Sequence, residues 1–429
     1  MTNYIGPKEI LAKKKKYIMP CLGHFYQNPP EFVKGRMQYL YDSTGKEYLD
    51  LFAGVSVINC GHCNPEITKA VCAQVNDLQH VCNIYLTENF VNLAEKLAQI
   101  TPGTLQKSFF CSTGTEANEG ALLLAQLYTG NNEFIGLRHG LHGRTKLTMS
   151  LTGISMWRTD PHPVGGIHFA PNPNCYRCPL KKHYPECDLE CANMLEDIIS
   201  YATADKVAAF IAEPIQGNGG IIVPPKGYFK RVKEILAKHH ILLIVDEVQT
   251  GFARTGKMFA IENFDTTPDI MTMAKALGNG APISAFIARP EIADIYVKPG
   301  ASTLGGNPVS TAAGIAVVKY ITEHNLMENA RQRGAQLKKG LQDIQRNHPL
   351  IGDVRGLGLM VGAELVNKDK SPAADKLDKI VEQMKDDGFI IGKNGIARNV
   401  LAFQPPLVIN ENDINNMLEA LESAIKKYE

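Results

Sequence analysis

The 429-residue chain lacks the features that mark three large classes of protein. It has almost no net charge, with 45 Lys and Arg against 44 Asp and Glu, which argues against nucleic acid or an anionic membrane surface as its main partner. No apolar run approaches the length of a membrane span. Its first residues, MTNYIGPKEILA, contain no apolar core of a signal peptide, so we expect a cytoplasmic protein. Internal repeats and low-complexity tracts are also absent.

The ten cysteines are mostly scattered, which predicts reduced thiols in the cytoplasm. Four of them form a C-x2-C-x8-C-x3-C pattern that leaves two interpretations open. Four thiols in one loop can hold zinc or an iron–sulfur cluster, whereas thiols that pack or lie reduced at a subunit interface need no metal. The short middle loop favours the second interpretation, and we predict no metal there. The four residues are Cys175, Cys178, Cys187 and Cys191.

Two apolar runs that end in carboxylates predict a ligand site. Residues 241–245 read as a buried strand followed directly by Asp246, and residues 207–212 read as another followed by Glu213. Open α/β sheets bind ligands at the carboxyl ends of their strands. Further along, Lys275 stands among small and apolar neighbours in MAKALGNG, where desolvation lowers the pKa of an amine and makes it a nucleophile towards carbonyls. An acid and such a lysine suit pyridoxal phosphate, whose aldehyde needs an amine and whose ring nitrogen needs an anion.

Residues 108–128 predict a strand, a turn and a helix that begins near Glu116. Free backbone N–H groups at a helix start can bind phosphate, so Gly114 and Thr115 are our candidate phosphate ligands. The alternative is ordinary capping, because Ser and Thr are preferred at that position.

Six segments together resemble the class III, or ω-type, aminotransferases of pyridoxal-phosphate fold type I. In chain order they are STGTEANEGA (112–121), HG (142–143), AEPIQG (212–217), DEVQTGFARTG (246–256), AKALGNG (274–280) and STLGGNP (302–308). The resemblance implies an α/β fold with a large domain, whose central sheet is mostly parallel, and a small α+β domain. We expect the amino-terminal part of the small domain at 1–60, the large cofactor-binding domain at 61–315 and the carboxyl-terminal part of the small domain at 316–429.

The resemblance also implies roles for individual residues. Lys275 is the expected Schiff-base lysine and Asp246 the partner of the ring nitrogen, and these two are the predicted catalytic residues. Val248 is expected to pack on the ring and Gln249 to bond its 3′ oxygen, while Glu213 lines the active site as a partner for a substrate-binding arginine. The remaining expected cofactor ligands are Gly114, Thr115, His142, Gly143 and, from a neighbouring subunit, Thr303. The last of these implies a homodimer or a dimer of dimers.

Two positions depart from the family pattern. Leu141 replaces the aromatic residue that usually stacks on the ring, which removes a stacking contribution of about 0.5–1.5 kcal/mol. Ala402 replaces an arginine that clamps an α-carboxylate in many relatives, and Arg398 is its only nearby substitute. We therefore expect donors that carry the amine away from the acid group.

The expected activity is ping-pong amino transfer between small molecules. The donor is expected to be a β- or ω-amino acid, an aminosulfonate or alanine, and the resemblance to the alanine–glyoxylate branch suggests pyruvate, glyoxylate or 2-oxoglutarate as acceptor. Racemases, decarboxylases and lyases share the fold and the lysine, so they remain alternatives. A non-catalytic regulatory protein is a further alternative that the presence of both Lys275 and Asp246 disfavours.

Overall fold

The computed structural model describes residues 4–429 and confirms the predicted α/β fold. Its largest sheet has seven strands in the order β4-β10-β9-β8-β7-β5-β6. The strands β9, β8, β7, β5 and β6 run parallel, and β10 is antiparallel to both of its neighbours. The strands are β1 (Phe32–Arg36), β2 (Tyr39–Asp42), β3 (Glu47–Asp50), β4 (Lys107–Cys111), β5 (Glu133–Leu137), β6 (Ile167–Ala170), β7 (Val207–Ala212), β8 (Leu242–Asp246), β9 (Ile270–Met273), β10 (Ser284–Ala288), β11 (Ile351–Leu357), β12 (Met360–Leu365), β13 (Phe389–Ile390), β14 (Gly392–Asn394) and β15 (Val400–Phe403).

Helices cover both faces of this sheet, which explains why its central strands are continuous apolar runs. Along β8, Leu243 and Val245 belong to one buried cluster and Ile244 belongs to the other. The helices are α1 (Pro7–Tyr17), α2 (Ala53–Ser56), α3 (Pro65–Asp77), α4 (Glu88–Ile100), α5 (Gly114–Thr129), α6 (Lys146–Ser150), α7 (Glu190–Asp197), α8 (Tyr228–Lys238), α9 (Pro290–Ala293), α10 (Pro308–Glu323), α11 (Leu326–Asn347), α12 (Ala374–Asp386) and α13 (Glu411–Tyr428). Helix α8 contributes to the first cluster and α5 to the second.

Two four-stranded sheets lie outside the large one, with the orders β1-β2-β3-β13 and β11-β12-β15-β14. Strand β13 pairs in parallel with β3, so an early and a late segment of the chain share one sheet. The turn between β2 and β3 forms around Asp42, whose carboxylate accepts the backbone N–H of Thr44 at 2.9 Å. Within residues 4–429, no helix has the length and apolar character needed to cross a bilayer.

The fold brings the ends of β7, β8 and β9 together with the start of α5. Thr113 caps α5: its hydroxyl accepts the backbone N–H of Glu116, and the Glu116 carboxylate accepts the backbone N–H of Thr113. This places the free N–H groups of a helix start beside the carboxyl edge of a parallel sheet, which is the common ligand site of such folds.

Candidate active site

A cavity of about 390 Å³ opens at this edge, a volume typical of small-molecule sites. It brings together nine of the ten predicted cofactor ligands, drawn from separate parts of the chain. They are Gly114, Thr115, His142, Gly143, Glu213, Asp246, Val248, Gln249 and Lys275. Thr303 is exposed and does not line the cavity of its own chain, so its expected contact with a neighbouring subunit stays a prediction.

Asp246 ends β8 and is held by three donors. Nδ1 of His142 and Nδ2 of Asn118 each lie 2.8 Å from its Oδ2, and the backbone N–H of Val248 donates to its Oδ1 at 3.1 Å. Burial lowers the pKa of His142, but the hydrogen bond to Asp246 and the nearby carboxylates outweigh burial and raise the pKa above its ordinary value. Nε2 of His142 is buried without a hydrogen-bond partner within residues 4–429. The arrangement keeps an anion fixed in a desolvated wall of the cavity.

Lys275 follows β9 and begins a single helical turn that ends at Leu277. Its φ of 45° lies in the left-handed region, where a residue with a side chain is strained, and such strain often occurs at functional sites. Asn279 secures the following turn, because its side chain accepts the backbone N–H of Cys60 at 2.9 Å and donates to Gly61 O at 3.0 Å. Burial lowers the pKa of the Lys275 amine, and Asp246 and Glu213 oppose that shift. A less basic amine is a better nucleophile at neutral pH.

Glu213 follows β7 and accepts two backbone N–H groups, from Leu141 and from Gly217, both at 2.9 Å. Burial raises the pKa of Glu213 to about 7, and the charge of Asp246 adds to the rise while His142 opposes it. The arginine partner that the family pattern implies is not among the residues around it in the described chain. Arg144 is the one arginine among the described cavity-lining residues, and its backbone N–H donates to the Thr115 hydroxyl at 3.3 Å.

The start of α5 forms a cradle in which glycine is needed. A Cβ on Gly114 would come within 2.8 Å of Val248 Cγ1, and a Cβ on Gly143 would come within 2.5 Å of Thr148 Oγ1 and 2.9 Å of the Thr115 side chain. These positions leave backbone N–H groups and the Thr115 hydroxyl open to a small anion, as a phosphate site requires.

Sequence reasoning missed Asn118 and Thr272. The Thr272 hydroxyl donates to Asn118 Oδ1 at 2.6 Å, so the Asn118 amide points its nitrogen at Asp246 and at His142 O. One signal was available, because Asn118 lies at helical spacing with Ala121, Leu122 and Ala125 on the apolar face of α5. A polar residue on such a face needs a partner.

The four-cysteine loop lies away from this cavity. Its thiols line a separate void of about 20 Å³, and no group of three or more His, Cys, Asp or Glu residues in the described chain is placed to hold a metal ion. Burial, together with the neighbouring thiols, raises the pKa of Cys191 to about 12. The absence of metal stays a prediction.

Comparison with known proteins decides the family. The model of the family described as "Aminotransferase class-III" matches residues 26–425. The chain is a class III aminotransferase.

Three relatives illustrate the range of proteins that this aminotransferase resembles. It is 42% identical to the alanine–glyoxylate aminotransferase 2 homolog 2, mitochondrial, of Arabidopsis thaliana, over 99% of this chain and 89% of the relative. It is 40% identical to the leucine/methionine racemase of Thermococcus litoralis, over 98% of this chain and 96% of the relative. The crystal structure of a Bacillus anthracis aminotransferase superposes with a TM-score of 0.92 at 34% identity, covering 98% of both chains. The expected family and its fold are therefore confirmed.

The cofactor of class III aminotransferases is pyridoxal 5′-phosphate, and the residues of this aminotransferase fit it. The glycine cradle at the start of α5 suits its phosphate, Asp246 suits its ring nitrogen and Lys275 suits its aldehyde. Leu141 also lines the cavity, so the ring is covered there by an aliphatic side chain.

Proposed function

We propose that this aminotransferase moves an amino group from an amino acid or ω-amino donor to an oxo acid in a ping-pong reaction. The donors are β- or ω-amino acids, an aminosulfonate or alanine, and the acceptors are pyruvate, glyoxylate or 2-oxoglutarate. The observation that carries the proposal is the convergence of Lys275, Asp246 and Glu213 at one edge of the sheet, in a cavity of small-molecule size. The name of the Arabidopsis relative supports alanine and glyoxylate as a reacting pair.

Each of these residues has a distinct task. When bound, pyridoxal phosphate supplies the aldehyde that takes up the amino group and the ring that withdraws electrons from the reacting carbon. Nζ of Lys275 would hold the cofactor at rest and, when free, would move the proton from the carbon that carries the donor's amine to the carbon of the cofactor's aldehyde group. Asp246 keeps the ring nitrogen protonated, while His142 and Asn118 keep Asp246 in place. Gln249 and Val248 position the ring, and Thr303 of a second copy completes the phosphate site.

The surroundings of Glu213 support donors whose acid group lies far from the amine. Ala402 is buried in β15 against Phe52, Ile215 and Met360, so no guanidinium occupies that position. Arg398 lies over the ring of Phe25 at 5.9 Å and does not line the cavity. The α-carboxylate of an amino donor would thus lie near the Glu213 carboxyl group without an arginine to neutralise the negative charge of either group. A donor whose acid group lies far from its amine avoids repulsion between the two carboxylates.

The test is a half-reaction without acceptor. The visible absorbance of the holoenzyme is recorded before and after adding β-alanine, 4-aminobutyrate, 2-aminoethanesulfonate, L-alanine or L-glutamate, one at a time. We expect the ω-amino compounds to convert the cofactor to its aminated form faster than L-glutamate does, and a Lys275→Ala variant to turn over none of them. A strong preference for L-glutamate over the ω-amino compounds and L-alanine contradicts the donor class. An absorbance that no donor changes contradicts amino transfer itself.

A racemase is the second candidate, because the Thermococcus relative is named a leucine/methionine racemase. The two reactions share the lysine and the ring and differ in whether the amino group leaves the substrate. Incubation of L-leucine or L-methionine with the holoenzyme separates them: a racemase forms the D-enantiomer with no oxo acid present, whereas a transaminase consumes one oxo acid for each amine transferred. Decarboxylation or elimination would instead appear as a stoichiometric loss of carbon dioxide or of a leaving group.

We also propose that the working unit is a homodimer. Ile84, Tyr85 and Leu86 are exposed, with Leu86 wholly so, and Leu304 beside Thr303 is 57% exposed. Cys82 Sγ lies 3.6 Å from Ser302 O, so the two segments that carry these exposed side chains, here called the apolar patch, are adjacent. A second copy that covers the patch also brings Thr303 towards a neighbouring cavity, as the family resemblance implies. Light scattering is expected to give twice the chain mass, and Leu86→Glu is expected to weaken the dimer and the binding of cofactor together; a monomeric, fully active wild type contradicts this.

Two further expectations become proposals. We place the protein in the cytoplasm, on the basis of its ten free cysteines, although the Arabidopsis relative is named mitochondrial. Fractionation of cells that express a tagged full-length chain tests this.

We also propose that the chain divides into the amino-terminal part of the small domain at 1–60, the large domain at 61–315 and the carboxyl-terminal part of the small domain at 316–429. Limited proteolysis that cleaves first near the two boundaries would support this division.

A further inference from the structure

Gln404 does not line the cavity, yet its side chain bonds to a residue that does. It follows β15, its side chain is fully buried, and its backbone N–H donates to Leu51 O at 2.7 Å. Its Oε1 accepts two hydrogen bonds, from Gln249 Nε2 at 2.9 Å and from Ser56 Oγ at 2.6 Å. A residue of the carboxyl-terminal segment therefore holds a side chain that faces the cofactor.

We propose that Gln404 is a positioning residue that fixes which end of the Gln249 amide faces the cofactor. Its oxygen takes one N–H of Gln249, and the second N–H of the same nitrogen is then directed to the oxygen on the cofactor ring. The inference rests on the proposed contact of Gln249 with that ring oxygen.

An amide side chain needs such a partner because its two ends have nearly the same shape and opposite hydrogen-bonding character. Within residues 4–429, the Gln404 oxygen is the one hydrogen-bond partner of the Gln249 side chain. Packing adds no preference, since the amide lies flat against Gly217, where a Cβ would come within 1.9 Å of Gln249 Oε1. Without Gln404, either end of Gln249 could face the ring, and an amide oxygen there would repel the ring oxygen.

Gln404 is held through its side-chain oxygen and through the backbone that follows it, while its Nε2 is buried without a hydrogen-bond partner within residues 4–429. Ser56 belongs to α2, whose four residues all have φ between 50° and 69°, a left-handed turn that is strained at Val55 because its side chain is β-branched. This turn presents the Ser56 hydroxyl to Gln404. On the other side, the carbonyl of Pro405 accepts the buried Arg254 guanidinium, which also donates to Leu359 O at 3.0 Å. The acceptor therefore has little freedom to move.

The consequence is measurable on the resting holoenzyme. A hydrogen bond from Gln249 to the ring oxygen stabilises the negative charge on that oxygen. Without this hydrogen bond, the nitrogen that joins Lys275 to the cofactor keeps its proton to higher pH. The pH midpoint of the visible absorbance reports this proton, and no amino donor or turnover enters the measurement. A failure of amino transfer would thus overturn the proposed function and leave this test readable.

Two substitutions separate the roles of shape and of hydrogen bonding. Gln404→Leu removes the acceptor and is expected to raise the midpoint by about one pH unit. Gln404→Asn keeps an uncharged amide oxygen that can accept the Gln249 N–H, and is expected to raise the midpoint less than Gln404→Leu does. Gln332→Leu, on the exposed face of α11, is the matched control and should not change the midpoint. If the leucine variant does not fold, Gln404→Met, which has similar length and no amide, replaces it.

Two results would overturn the proposal. An unchanged midpoint in the leucine or methionine variant means that Gln249 needs no orienting partner. A midpoint lowered in the leucine or methionine variant means that Gln404 donates to Gln249 in the wild type, so that the Gln249 oxygen faces the cofactor until Gln404 is removed.

Discussion

Asn118 Nδ2 lies 2.8 Å from Asp246 Oδ2, although the two residues are 128 positions apart in the sequence. The same nitrogen lies 2.7 Å from His142 O, and the Thr272 hydroxyl fixes the amide from behind. The anion expected to face the cofactor's ring nitrogen is thus oriented by a helix, α5, and a strand, β9, that do not contain it.

Removal of this amide should weaken cofactor binding. In Asn118→Ala, Asp246 loses a hydrogen bond to a charged group in a buried site, which corresponds to a roughly 10- to 100-fold weaker affinity. Titration of the cofactor-free protein with pyridoxal phosphate measures it. Asn92→Ala is the control, because Asn92 is half-buried on α4 and its side chain bonds to Glu88 alone within residues 4–429. Equal affinities for the wild type and Asn118→Ala would show that Asp246 needs no such support.

A methyl group at Gly114 should disturb the cradle at the start of α5. The new Cβ would lie 2.8 Å from Val248 Cγ1, so Val248 must move from the position in which it is expected to pack on the ring. Overpacking of this kind costs about 1–3 kcal/mol. We expect a lower affinity for pyridoxal phosphate and a lower Tm of the holoenzyme. Gly165→Ala, where nothing lies within 4 Å of the added atom, should change neither, and a Gly114→Ala protein that binds like the wild type would refute the close contact.

The stability of the protein should fall as the pH rises towards 8, and Glu247 should account for part of the fall. Glu247 is fully buried, and burial raises its pKa to about 7, opposed by the Thr250 hydroxyl and by backbone N–H groups. The unfolded state loses this proton near the ordinary pKa, so between the two values it binds fewer protons than the folded state. The resulting loss of unfolding free energy is zero below the pKa of the unfolded state. It reaches its full size, roughly 3 kcal/mol, above the pKa of the folded state.

Glu247→Gln should remove this loss. The amide oxygen can still accept the Ile261 N–H, which lies 2.8 Å from the Glu247 carboxylate in the wild type. The Thr250 hydroxyl, which donates to Glu247 in the wild type, can accept from the amide nitrogen instead. The measurement is the difference in Tm between pH 5.5 and pH 8, which we expect to be smaller in the variant than in the wild type. Glu95→Gln, on the exposed face of α4, serves as the control. A variant that loses as much stability as the wild type over this range would contradict a raised pKa.

The four-cysteine loop should hold no metal. No group of three or more His, Cys, Asp or Glu residues within residues 4–429 is placed to hold a metal ion, and the middle loop of the four-cysteine pattern is short. Elemental analysis of protein purified without chelator should give well below one zinc or iron per chain, and a chelator should leave the Tm unchanged. Stoichiometric zinc that is lost in Cys178→Ser would reverse this prediction and assign a structural metal site.

Much of the fold was predictable from local patterns. Strands β7 and β8 are buried on both faces and therefore consist of apolar runs, which end where Glu213 and Asp246 begin. The carboxyl ends of parallel strands share one edge, so the meeting of these carboxylates followed from the pattern. The turn at the start of α5 was also predictable, because capping residues have a local sequence signature.

The partners of the site residues were not predictable in this way. Asn118 reaches Asp246, Thr272 reaches Asn118, and Gln404 reaches Gln249 across more than 120 positions of the chain, and no periodicity links such pairs. Glu213 was expected to face an arginine, and two backbone N–H groups hold it in the structure.

The sequence by itself determined which residues we propose for the chemistry: the lysine, the carboxylates at strand ends and the glycines at a helix start, since each is specified by its immediate neighbours. Only the tertiary structure decided how those groups are tuned. The orientation of Asp246, the left-handed backbone of Lys275 and the raised pKa of Glu213 depend on desolvation and on hydrogen bonds between distant segments. These terms vary with distances of a few ångströms that arise only when the segments pack together.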